Sequence, residues 1–197
     1  MESRPTPGRN FLRDCWLKLM DRFEKSDVES LAAMFAAKPL TIATACSGTD
    51  SPVFSVSALV AALRFLGHNV HDVDHIFSCE RDASKRKWIQ HMCKRVRIIF
   101  TDVTEIGNRT AESMVGNKYK QQHVPSVDLF MAGFSCKSVS GLNNNRLDFA
   151  DAISTEEGET GVTFAGAKDY IADKLPRIFL LENVTGLRGQ LPQVEFE

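Results

Sequence analysis

Two stretches near the start of the chain repeat apolar residues at helical spacing, FLRDCWLKLMDRF (11–23) and DVESLAAMFAA (27–37). Each gives a helix one apolar stripe on a polar surface. Ser26 or Asp27 supplies an N-cap for the second. Residues 1–10 are polar and predict disorder. After Pro39 the pattern changes. Short unbroken apolar runs, PLTIATAC (39–46), VDHIFSC (73–79), VRIIF (96–100), VDLFMAG (127–133) and RIFLLENV (177–184), now alternate with helical patterns. These are SVSALVAALRFLG (55–67), ended by Gly67, ASKRKWIQHMCKR (83–95), a weak helical segment GNRTAESMVGNKY (107–119), and, after a long loop, TFAGAKDYIADKL (163–175). Strands buried on both faces read as continuous apolar runs. Strands alternating with helices predict an α/β fold with a doubly wound, mostly parallel sheet. The change at Pro39 divides the chain into an extension of two helices, 1–38, and an α/β unit, 39–197.

In such sheets ligands bind beyond the carboxyl ends of the strands, so the residues just past each strand carry the information. The first strand runs into ACSGTDSP, whose small residues (Cys46, Ser47, Gly48, Thr49, Asp50) let backbone N–H groups and a helix dipole approach a ligand. A plain βα turn fits as well. Glu80, after the second strand, suits the hydroxyls of a ribose or the N-terminus of the next helix. Asp102, after the third, suits an adenine amino group or a helix cap. The fourth strand opens into MAGFSCKSVSG (131–141), where Cys136 stands just past Gly133 in a loop of small polar residues. A packing thiol belongs inside the apolar run, whereas a reactive one belongs beyond it. The fifth strand ends on Glu182, an ionisable group directly after FLL, which predicts a partner or a perturbed carboxyl.

Composition changes this picture little. The net charge is −1 and 43% of residues are hydrophobic, as in ordinary globular proteins. Any surface for a polyanion is therefore a local patch. The basic stretch 84–97 reads as a solvated helix face; Lys137, Asn143, Asn144, Asn145 and Arg146 are better placed to touch a nucleic-acid backbone. Five cysteines at 15, 46, 79, 93 and 136 show no CxxC or Cys/His spacing, supporting neither a disulfide framework nor a metal site. No signal-peptide core and no run of ~18 apolar residues is present. An intracellular, reduced protein is expected, nuclear if the source is eukaryotic, without membrane association.

Turn, Glu, Asp, Cys and Glu at five successive strand ends resemble the cytosine-5 DNA methyltransferases, from about residue 39 to 187. AGFSCKSVSG is similar to the GxPCQxxS signature and ENVTGL to the ENV motif, which implies Cys136 as nucleophile and Glu182 as catalytic acid. ACSGTDSP stands where the family has its FxGxG cofactor loop, and GETGVTF (158–164) resembles the segment before the next helix. The resemblance implies a Rossmann-like methyltransferase sheet that binds S-adenosyl-L-methionine through Cys46, Ser47, Gly48, Thr49, Asp50, Glu80, Asp102 and Gly133. It also implies DNA contacts from Lys137, Ser138, Asn143, Arg146 and Asn183.

The sequence departs from the family at several points. Cys46 and Asp50 replace an aromatic residue and a glycine of the cofactor loop. Ser135 and Lys137 flank the thiol in place of Pro and Gln, and Lys137 could stabilise a thiolate or face a phosphate. After ENV there is no counterpart of the arginine motif, the target-recognition region or the last hairpin, so 39–197 resembles part of a catalytic domain. DNA is the expected partner, RNA is an alternative, and a partner chain could supply the missing region. A non-catalytic, cofactor-binding relative is the third reading.

Overall fold

The computed structural model describes residues 7–116, 118–145, 147, 149–156 and 158–184. Apolar stripes give α1 (Pro7–Met20) and α2 (Lys25–Ala37). The first helix begins earlier than the sequence predicts, and residues 7–10, expected to be disordered, form its first turn. The second begins at Lys25 with Glu24 in the N-cap position and no side-chain cap, rather than at Ser26 or Asp27. Then follow β1 (Thr41–Ala45), α3 (Ser51–Phe65), β2 (Asp74–Cys79), α4 (Ala83–Met92), β3 (Ile98–Phe100), β4 (Thr110–Val115), β5 (Lys118–His123), β6 (Leu129–Gly133), α5 (Phe149–Ser154), α6 (Gly158–Lys174) and β7 (Ile178–Glu182).

Gly67 closes α3 as expected. Its φ is +91°, and the His68 and Gly67 N–H groups donate to Leu63 and Arg64 carbonyls at 3.1 and 3.0 Å, a Schellman closure that favours glycine. The segment 107–119 is not helical. β4 and β5 pair as an antiparallel hairpin, and Gly116, just after β4, has φ +61°. Between β6 and α6 the expected loop contains the short helix α5.

The sheet has the order β5-β4-β3-β2-β1-β6-β7. β1, β2, β3, β6 and β7 run parallel, and β4 and β5 are antiparallel to their neighbours. The chain builds outward from β1 to β3 and its hairpin, then crosses back to lay β6 and β7 on the other side of β1. The switch point lies between β1 and β6, and ligands in such sheets bind beyond the strand ends there.

Alternation along the strands sends side chains to two cores. Ala43, Ala45, Phe77, Phe100 and Phe130 pack under α6, with Tyr170 fully buried among them. Ile42, Leu129 and Met131 pack under α3, α1 and α2 on the other face. Trp16 of α1 donates from Nε1 to the Ser55 carbonyl at 2.9 Å, joining the extension to α3. At Gly166 a Cβ would lie 2.5 Å from the Val103 carbonyl oxygen. Glycine therefore lets α6 sit directly on the loop that carries Asp102. Among the described residues β7 is an edge strand with all five residues exposed.

Candidate active site

The carboxyl ends of the parallel strands surround a cleft of about 800 Å³ lined by Cys46, Glu80, Asp102, Gly133, Cys136, Lys137 and Glu182. An adjoining recess of about 350 Å³ shares Cys46, Gly133 and Glu182 and adds Ser47. Cys136 and Glu182 thus reach one space from the ends of neighbouring strands. The β6–β7 register pairs Gly133 with Glu182, and a Cβ at Gly133 would lie 3.3 Å from Glu182 Oε2.

Cys136 is partly buried, not enclosed. Its carbonyl accepts the N–H groups of Val139 and Ser140 at 3.1 and 2.8 Å, which curls the loop into a turn. The underside of that turn is held by α6. Thr163 Oγ1 accepts the Ser135 N–H at 3.0 Å and Thr160 Oγ1 accepts the Ser138 N–H at 3.1 Å. Neither threonine is among the residues that the sequence predicts for the site. Their spacing of three on a helix, which puts both hydroxyls on one face, was the available signal.

Several residues expected to touch DNA take part in holding this loop. The Asn183 amide donates to the Phe134 carbonyl at 2.9 Å. The Asn143 amide donates to the Lys137 carbonyl at 2.9 Å, and its oxygen accepts the Asn145 N–H at 2.9 Å. Ser138 lies against α6, where a Cβ at Gly158 would meet its Oγ at 2.6 Å. Lys137 is drawn to Glu159, with Nζ 2.9 Å from both carboxylate oxygens, so its charge is shared with an acid 22 residues on. Arg146 lies outside the described residues. In the basic stretch 84–97, Arg95 and Arg97 pair with Asp72 and Asp74, and Arg86 is buried. Lys85 and Arg81, however, line the cleft.

On the β1–β2 side the loop closes on itself. Glu80 Oε2 accepts the Gly48 N–H at 2.7 Å and Oε1 accepts the Asp82 N–H at 2.8 Å, so the Gly48 amide is already engaged. Asp102 Oδ1 accepts from the Thr104 N–H and hydroxyl at 2.9 and 2.8 Å. Cys46, Gly48 and Asp50 all have positive φ, +51°, +57° and +59°, so Asp50 holds a conformation that favours glycine. Its carboxylate is turned into the sheet, away from the cleft, and accepts the Thr44 and Ser78 hydroxyls at 2.5 and 2.6 Å. Ser47 bonds Cys79 and Thr49 faces solvent. Of the predicted cofactor loop, only Cys46 lines the cleft itself.

Two thiols, Cys46 and Cys136, face this space. Burial, reinforced by the Glu80 and Asp102 charges, pushes Cys46 up to about 12, so it stays a neutral thiol near pH 7. Glu182 needs no buried partner. Because β7 is an edge strand, its carboxyl is exposed and makes no hydrogen bond among the described residues.

The model of the C-5 cytosine-specific DNA methylase family matches residues 60–197. A DNA (cytosine-5-)-methyltransferase DMT5 of Cryptococcus neoformans is 35% identical over 159 residues, 80% of this chain and 6% of that protein. A second DMT5, of Verticillium dahliae, is 29% identical over 188 residues, 74% of this chain and 8% of that protein. The chain therefore spans less than a tenth of either relative's length. A candidate RNA methyltransferase from Pyrococcus horikoshii, solved as a crystal structure, overlays 93% of this chain and 64% of its own at 12% identity. Its TM-score of 0.35 is too low to carry weight. Strand-end residues gathered on one cleft and a family match over most of the chain lead to one conclusion: the chain belongs to the C-5 cytosine-specific DNA methylase family.

Proposed function

We propose that residues 39–197 carry the cofactor and nucleophile half of a DNA cytosine-5 methyltransferase domain, with 1–38 as a helical extension packed on α3. The observation that supports this most directly is the convergence of Cys136, Glu182, Glu80 and Asp102 on one cleft. S-adenosyl-L-methionine suits the donor set. Glu80 keeps lone pairs for ribose hydroxyls after accepting from Gly48 and Asp82. Asp102 keeps Oδ2 for an adenine amino group. Glu80, Asp102 and Glu182, which share the lining with Arg81, Lys85 and the Lys137–Glu159 pair, are the carboxylates available to a cationic sulfonium and ammonium. Bound there, the cofactor would supply an electrophilic methyl group.

Carbon 5 of cytosine is a weak nucleophile, and the chain's residues act on that weakness. Cys136, as thiolate, adds to carbon 6 and forms a C–S bond. Glu182 shares a proton with ring N3 as charge develops there. The electron pair then available at carbon 5 takes the methyl group. Loss of the carbon 5 proton to solvent, return of the N3 proton to Glu182 and departure of the Cys136 thiolate restore the ring. A stacked base cannot offer carbon 6 to a thiol, so the target base must leave the duplex. A loop of serines and glycine, fixed from below by Thr160, Thr163 and Asn183, leaves the sulfur free to meet it. DNA bound by a partner chain, or by further segments of a longer protein, inside the nucleus of a eukaryotic cell, completes the reading. Among the described residues no helix is long and apolar enough to cross a membrane.

The test is incubation with a duplex containing 5-fluorocytosine and S-adenosylmethionine. A denaturation-resistant adduct, absent in Cys136→Ser, is expected. Cofactor binding without any adduct would favour the non-catalytic, cofactor-binding relative instead, and a single-stranded RNA carrying the same base separates the substrates.

A further inference from the structure

On the α3 and α4 side of the sheet, away from the cleft, lies a second cluster of chemistry-bearing side chains. Asp50, His75 and Cys93 are 0, 3 and 7% exposed, and one ligand atom of each lies within 4.8 Å of the others. They come from three elements: the turn before α3, strand β2 and the C-cap of α4. Their wide separation in sequence is why spacing gave no hint of them.

The backbone is shaped to make this meeting. In a regular strand residues three apart point to opposite faces. The β1–β2 register shifts so that Ile42 pairs with His75 but Ala43 pairs with Phe77, leaving Ile76 as an extra residue. This bulge puts His75 and Ser78 on one face, with Ser78 Oγ 3.0 Å from His75 Nε2. Bulges re-aim side chains in this way beside functional sites. Asp50 keeps its left-handed backbone to reach the same point.

Charge is the second observation. The Asp50 carboxylate accepts two hydroxyl hydrogen bonds, which fill lone pairs without supplying countercharge. No lysine or arginine among the described residues pairs with it, and its one ion-pair partner is the His75 ring, Nε2 to Oδ2 3.9 Å. Carboxylates buried this deeply are matched by a cation or bound to a metal. Carboxylate, imidazole and thiolate are the donor types that bind Zn²⁺ in a tetrahedral arrangement. Bond lengths of about 2.0–2.1 Å put oxygen and nitrogen ligands roughly 3.3 Å apart, so the 3.9 Å gap closes with a small movement.

We propose that Asp50, His75 and Cys93 form a structural site for a divalent transition metal of the Zn²⁺ class. On binding, the Cys93 thiol releases its proton to solvent, and the Asp50 and Cys93 charges neutralise the ion. The fourth position falls to water or the Ser78 hydroxyl. Thr44, bonded to Asp50 Oδ1, orients the carboxylate from outside the site. The ion would fix the end of the 46–50 loop against β2 and α4. This proposal rests on the cluster alone and stands or falls apart from the catalytic reading.

The test uses the 197-residue chain. Metal content after purification is measured by mass spectrometry, and the metal-free chain is titrated with Co²⁺. Near-stoichiometric zinc, and a thiolate-to-cobalt charge-transfer band with intense tetrahedral visible bands, are expected. Both are lost in Cys93→Ser and kept in Cys15→Ser, whose thiol is exposed on α1. Thr44→Val, which removes the hydroxyl bonded to Asp50 Oδ1, should weaken Zn²⁺ binding by about 10- to 100-fold, as outer-shell changes do. Absence of the band in the parent chain, or its persistence in Cys93→Ser, overturns the proposal. Should Cys93→Ser fail to fold, the parent decides: a melting temperature that does not differ between Zn²⁺ and a chelator overturns it too.

Discussion

Thr160 is fully buried at the start of α6, and its hydroxyl is the acceptor for the Ser138 N–H. Valine has nearly the same shape but no acceptor, so Thr160→Val leaves that part-buried amide without its partner. The expected cost is about 1–3 kcal/mol, the penalty of an unsatisfied buried donor, read from the urea midpoint. Limited proteolysis should also cut the 135–147 loop faster. Glu159→Gln is the contrast, because Lys137 is well exposed and an exposed ion pair contributes only about 0–1 kcal/mol. At this scale the sequence revealed which residues stand at strand ends, since an apolar run giving way to small residues marks the end. It did not reveal where their side chains point. Lys137 turns to an acid 22 residues away, and Asp50 turns inward because its backbone is left-handed. Neither partner could be read from neighbouring residues.

Strands and helices are joined at the end of the sheet opposite the cleft by Asp128. Its carboxylate accepts from Lys38 Nζ at 2.9 Å and from the Thr41 N–H and hydroxyl at 3.1 and 2.8 Å, linking the exit of α2 to β1 and β6. Burial works against ionisation, yet the hydrogen bonds from Lys38 and Thr41 hold this carboxyl below its usual value. A depressed folded value means the contribution is present above the unfolded carboxyl value of about 3.9 and is lost as pH falls through the folded one. The parent should therefore melt above Asp128→Asn at pH 7, and the two curves should converge below about pH 4. Parallel curves across that range would refute the clasp. The parallel elements were legible because each carries one unbroken pattern. GNRTAESMV satisfies a helical period, so its pattern predicts a helix where the hairpin β4–β5 forms. The Gly-Asn pair, a known two-residue hairpin signal, was the better guide.

Strand order decides how the whole molecule behaves, and composition says nothing about order. RIFLLENV reads as an interior strand, yet among the described residues its strand β7 is an edge of the sheet, with Phe179 46% exposed. A long apolar edge offers unpaired backbone and greasy side chains to another chain, a known route to self-association. Alternation puts Phe179 on the face opposite Glu182, so a charge there leaves the cleft side of the strand alone. Phe179→Lys should raise the concentration at which light scattering first detects oligomers. It should change stability by no more than about 0.5 kcal/mol, the usual size for a surface position. A parent chain that stays monomeric at every concentration where the variant does would mean this edge is not the sticky surface. A large drop in melting temperature would mean Phe179 is packed against something. Either outcome would require β7 to be covered, and Glu182 with it, which would return the carboxyl to the buried setting that the sequence alone predicts.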